Sequence, residues 1–98
     1  MADINMLENY LDLVNAVIEK AANDYRLEHR RLKKQKEKLS KLNTNSVKYE
    51  NLEKDIRSTE GDIRALRTFF NTSPWFCFVT NIDGEYILEN LDKELNAE

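Results

Sequence analysis

The sequence predicts an all-α protein: a long antiparallel coiled-coil helical hairpin, with two short C-terminal helices packed on the N-terminal half of the first helix. Three observations predict it. Apolar residues recur at alternating steps of three and four from residue 4 to residue 42, and they do so again from residue 49 to residue 70. Four turn-forming residues, Asn43, Thr44, Asn45 and Ser46, separate the two runs. Only two Gly and one Pro occur in 98 residues, so long stretches carry nothing that breaks a helix.

The first run reads Ile4, Leu7, Leu11, Val14, Ile18, Ala21, Tyr25, Leu32, Leu39 and Leu42, interrupted at Glu28 and Gln35. A heptad pattern kept this long argues for one helix over residues 4–42 with a coiled-coil seam. Such a helix would be about 58 Å long at ~1.5 Å per residue. A second stripe, Met6, Tyr10, Leu13 and Val17, widens the apolar arc of its first turns, as in a helix covered on more than one side. The C-terminal segment is expected to supply that cover, and apolar surface left over would favour a symmetric homodimer.

The second run reads Tyr49, Leu52, Ile56, Thr59, Ile63, Leu66 and Phe70, which predicts a helix over residues 47–71. A connection over residues 43–46 is short, and short connections join antiparallel neighbours. Folding the stripes back about that turn sets Tyr25 opposite Leu66 and Ala21 opposite Phe70. Gly61 falls on the outward side, either as a neutral exposed position or as the site of a kink or close contact.

Beyond the second helix, Ser73-Pro74 reads as an N-cap followed by Pro at the first helical position, which predicts a short helix over 74–80. Asp83 then caps a helix over 84–96 whose stripe is Leu88, Leu91 and Leu95, with Ile87 beside it. A competing β-hairpin joins residues 76–82 to 85–88 about Asp83-Gly84. The leucine stripe runs past the point where that second strand would end, which favours the helices. Residues 1–98 then form a single helical domain.

Charge is distributed unevenly. The net charge is −3, yet residues 26–41 hold eight Lys or Arg against two acids. Residues 1–25 hold five acids and one Lys, residues 47–71 balance at five and five, and residues 72–98 hold six acids and one Lys. Acids at Glu50, Glu53, Asp55 and Glu60 are placed to pair with the basic stretch across the hairpin. The start carries acids and no basic n-region, and no apolar run reaches the ~18 residues of a membrane span, so a cytoplasmic protein is expected.

Catalytic chemistry lacks its parts. His29 is the single His and Cys77 the single Cys, so neither a nucleophile–base pair nor a soft-metal cluster nor an internal disulfide can be assembled. His29 is expected to face solvent or a partner, and Cys77 to be a buried thiol. The two glycines, Gly61 and Gly84, belong to no phosphate loop. No enzyme, metal or cofactor is expected. The aromatic concentration of Phe69, Phe70, Trp75, Phe76 and Phe78 reads as core, with any surplus serving as a partner-binding anchor.

Phe69-Phe70, Trp75-Phe76 and the run Asp83-Gly84-Glu85-Tyr86-Ile87-Leu88 resemble the C-terminal signature of small uncharacterised proteins encoded by phages and integrative elements of Gram-positive bacteria, over residues 66–91. The resemblance implies a phage-type accessory protein working in the host-cell cytoplasm. It implies no enzyme, cofactor or catalytic residue.

These readings point to a non-enzymatic protein-interaction factor that binds a host or phage protein, the basic stretch being either a solvated, salt-bridged stem or the complement of an acidic partner surface. The candidate partner-binding residues are Arg26, Arg30, Arg31, Lys33, Lys34, Lys36, Lys38, Lys41 and Trp75. A small nucleic-acid-binding or regulatory protein using the basic stem 26–41 is the alternative. That alternative lacks both a basic-zipper reading pattern and a helix-turn-helix.

Overall fold

The computed structural model describes residues 2–72 and 83–98, with the backbone alone for residues 2–8. The expected short helix over 74–80, Trp75, Cys77 and the 76–82 half of the alternative hairpin lie outside the described residues. Among the described residues there are three helices: α1 (Ala2–Leu39), α2 (Val47–Thr72) and α3 (Gly84–Asn96). The fold is all-helical, with no strand among the described residues. Its extents are 66 × 25 × 17 Å, and 38 residues of α1 at ~1.5 Å each account for most of the longest.

α1 begins at Ala2 and stops at Leu39, three residues short of the end that the apolar pattern suggests. The Ser40 hydroxyl donates to the Glu37 carbonyl at 2.6 Å, and Leu42 N–H turns back to the Leu39 carbonyl at 3.1 Å. These local bonds close the chain into a turn before Leu42 can continue the helix. The turn then starts α2. Asn43 accepts from the Asn45 N–H at 3.1 Å, and the Ser46 hydroxyl accepts from the Tyr49 N–H at 3.1 Å, the bond of an N-cap to its third residue.

The core lies where the three helices meet. Ala21, Ala22 and Tyr25 of α1, Ile63 and Phe70 of α2, and Leu88 and Leu91 of α3 are buried together. Ile18, Leu32, Leu66, Phe69, Ile87 and Leu95 pack around them. The two alanines keep this part of α1 slim, which lets the larger side chains of α3 approach its backbone. Thr59, buried on the seam side of α2, donates its hydroxyl to the Asp55 carbonyl at 3.0 Å and so leaves no orphaned donor.

α3 starts at a cap and a close backbone approach. The Asp83 carboxylate accepts from the Glu85 N–H at 3.0 Å. A Cβ on Gly84 would stand 1.9 Å from the Phe70 carbonyl oxygen, so only glycine lets the first turn of α3 lie on the end of α2. Asp83-Gly84 is therefore a helix start and not a hairpin turn, and residues 85–88 are helical.

α3 meets the middle of α1: it shares a core with Ala21, Ala22 and Tyr25, and the polar contacts of Asp92, Glu94 and Glu98 reach Tyr25, Arg26 and Arg30 on the basic stretch, while the other expected covering helix, 74–80, lies outside the described residues. The reason is electrostatic as well as apolar. Asp92 and Glu94 of α3, and Glu98 just beyond its end, meet cations of α1 and α2. Tyr10, Leu13 and Val17 consequently stay exposed, Leu13 at 62%.

Candidate interaction surface on the basic segment

The basic stretch divides into a tied part and an untied part. Arg26 Nε donates to Glu94 Oε2 at 2.8 Å, and Arg30 Nη2 to Glu98 Oε1 at 2.6 Å. The Arg26–Arg30 spacing of four puts both arginines on one side of α1, where Glu94 of α3 and Glu98, two residues past the end of α3, meet them. Arg31 approaches Glu28 of its own helix at 3.9 Å. Lys33, Lys34, Lys36, Lys38 and Lys41 are exposed, and none forms an ion pair among the described residues. The acids of α2 do not reach across to them: Glu53 instead pairs with Arg57 at 3.5 Å within α2.

Beside the tied arginines lies a junction of all three helices. Tyr25 is fully buried at the ring, and its hydroxyl donates to Asp92 Oδ1 of α3 at 2.5 Å while accepting from Arg67 Nη1 of α2 at 2.7 Å. Arg67 also reaches Asp92 Oδ2 at 3.1 Å, which closes a triangle of contacts. Burial, and then the hydrogen bond to the Asp92 carboxylate, push the Tyr25 phenol up to about 12. The phenol is thus held as a donor throughout the neutral range.

His29 does not face solvent freely. One turn beyond Tyr25, it is half-buried with its ring centroid 4.4 Å from the Tyr25 ring, and its Nε2 is buried with no hydrogen-bond partner. Burial is the main cause that holds its imidazole below the ordinary 6.5. The seam interruptions behave similarly: one carboxylate oxygen of Glu28 and the amide oxygen of Gln35 are buried without partners. A sequence signal for His29 existed, since residues 18, 22, 25, 29 and 32 form one helical stripe.

Two shallow grooves flank the basic segment. One is lined on α1 by His29, Leu32, Lys33 and Lys36, and on α3 by Leu95 and Asn96. The other lies between α1 and α2, with Leu27, Arg31, Lys34 and Lys38 facing Leu52 and Asp55. Leu27 is 61% exposed in its midst. Both have apolar floors and lysine rims, the arrangement that suits an amphipathic acidic surface.

The described residues hold no group of His, Cys, Asp or Glu able to bind a metal ion, and no described helix is long and apolar enough to cross a membrane. Trp75 lies outside the described residues, so the remaining candidates are the basic ones. Of these, Arg26 and Arg30 are drawn into the fold and the five lysines are left on the surface. The acids of α3 that take up the arginines were legible only as an acidic C-terminal composition. No family model, curated protein or solved structure matches this chain.

Proposed function

We propose that the protein is a non-enzymatic interaction factor that binds the acidic face of a partner protein through the distal basic segment of α1. The observation that carries this reading is the division of the basic stretch: Arg26 and Arg30 are paired with Glu94 and Glu98, while Lys33, Lys34, Lys36, Lys38 and Lys41 stand on an exposed surface and form no ion pair among the described residues. Five like charges held along a little over two turns repel one another, and an acidic partner relieves that repulsion. The groove of Leu32, Lys33, Lys36 and Leu95 offers the apolar floor that gives such a contact affinity beyond charge alone.

The scaffold in this reading is an antiparallel hairpin of α1 and α2 that holds the lysines away from the acidic N-terminal end of the chain. Burial of Tyr25 and Ala21 in one cluster with Phe70 and Leu66 supports it, as does the Tyr25–Arg67 bond. The resemblance of residues 66–91 to small phage and integrative-element proteins makes a mobile-element accessory protein, acting on a host or phage protein, the setting for this role.

Capture from nuclease-treated lysate of the native host tests it, with the unaltered protein and a Lys33→Glu/Lys36→Glu variant as parallel baits. The expected result is an acidic protein enriched by the first bait and lost with the second. Retention of the same proteins by both baits would overturn the reading. So would retention of nucleic acid alone when nuclease is omitted.

A further inference from the structure

We propose that the chain pairs with a second copy of itself through a second heptad face of α1, the acidic N-terminal arm of each copy lying antiparallel along the basic segment of the other. The face is continuous. Tyr10, Leu13, Val17, Lys20, Asp24, Leu27, Arg31, Lys34 and Lys38 follow one another at alternating steps of three and four, each one residue before a seam position. One residue is about 100° around a helix, so this second stripe stands beside the seam that meets α2. It is well away from Ala22 and Arg26, which face α3.

The exposed apolar residues on this face are Tyr10 at 41%, Leu13 at 62%, Val17 at 38% and Leu27 at 61%. A helix needing cover along two adjacent stripes is a helix with two neighbours. α2 covers the first stripe from Ile18 to Leu32. The second ends in the groove that Leu27, Arg31, Lys34 and Lys38 form with Leu52 and Asp55 of α2, a trough open to another helix.

Symmetry and charge identify the occupant. A two-fold axis crossing α1 at the level of residue 22 sets Val17 against Leu27 of the second copy, Leu13 against Arg31, Tyr10 against Lys34, and Lys20 against Asp24. Each pair joins the two kinds of heptad position, as antiparallel helices require, and each occurs twice. Val17 and Leu27 bury apolar surface, Leu13 covers the aliphatic stem of Arg31, and Tyr10 offers its ring to Lys34. Lys20 and Asp24 form opposed charges at the centre. Residues 6–20 carry three acids and one base, and residues 24–38 carry seven bases and three acids, so the overlap matches opposite signs. A parallel pair would set the basic segments against each other.

This pairing draws in Lys34 and Lys38 but uses the side of α1 away from Lys33 and Lys36, so it can fail without affecting the reading of Lys33 and Lys36 on which the capture test rests. Light scattering from micromolar to millimolar protein, together with disulfide trapping in a Cys77→Ser background, tests it. The expected mass is twice the 11.6 kDa of the chain, falling to the monomer in Leu13→Arg, which sets a cation against Arg31. Leu13→Cys mixed with Arg31→Cys is expected to form a disulfide, whereas either variant alone should not. In the antiparallel pair Leu13 and its own copy are separated by about 27 Å along the helix. An Asp24→Lys variant should dissociate, and Lys20→Asp/Asp24→Lys should restore the dimer. A monomer at every concentration would overturn the proposal, as would self-linked Leu13→Cys or a dimer that yields no mixed disulfide.

Discussion

Two glycines and one histidine show how much depends on single positions. A Cβ at Gly84 meets the Phe70 carbonyl oxygen at 1.9 Å, whereas one at Gly61 meets nothing nearer than the Arg64 guanidinium at 3.9 Å. Gly84→Ala is therefore expected to lower the urea midpoint by an amount equivalent to about 2 kcal/mol or more, because α3 must lift from α2. Gly61→Ala should raise stability by about 0.5–1 kcal/mol, since the alanine fits the helix and the unfolded chain loses freedom. His29 supplies a pH test. Burial lowers its folded value below 6.5, with Asp92 opposing and Arg67 reinforcing the shift, so the unfolded chain takes up its proton first. Its contribution is complete above the unfolded value and declines as the pH falls through it. Between about pH 7 and 5.5, His29→Leu should lose less stability than the parent, read from paired urea titrations. An equal loss in both would remove His29 as the cause.

Among the elements, α1 and α2 were the more legible, because a 3.6-residue period carried over many turns leaves few alternative foldings. The start of α3 was legible too, since Asp83 and the leucine stripe agree on the same boundary. What the pattern could not give was where α3 docks. Leu88 and Leu91 define its inner face, but the choice of the middle of α1 comes from Asp92, Glu94 and Glu98 meeting Tyr25, Arg26, Arg30 and Arg67. The partners on α1 lie more than 60 residues away in sequence from these acids, and periodicity carries no such long-range information. The three-helix junction makes a prediction at this scale. Tyr25→Phe keeps the ring and the Arg67–Asp92 pair but deletes both hydroxyl bonds, and it should cost about 1–2 kcal/mol. The folded phenol ionises at about 12 and the ordinary one at 10.0, so this contribution is complete below the lower value and lost as the pH rises through the higher. The parent should accordingly lose stability in that alkaline range, and the phenylalanine variant should lose less of it.

Across the whole molecule, the tertiary contacts concentrate in the middle and the surface charge divides by position. Acidic residues predominate in the first 25 and the last 27 residues, and the exposed lysines stand on the distal part of α1 next to the turn. The basic candidates could be named from sequence, whereas the separation of tied arginines from untied lysines required the position of α3. That separation is what supports the proposal that the distal lysines form an interaction surface. Its most direct measurement is an amide chemical-shift map of the nitrogen-15-labelled protein titrated with a Glu/Leu-rich amphipathic peptide and, separately, with a duplex oligonucleotide of equal charge. The account predicts that the peptide shifts amides over residues 29–41 and the facing end of α3, with Arg26 and its neighbours little changed and the effect fading as salt is added. Shifts from the oligonucleotide with none from the peptide would contradict it.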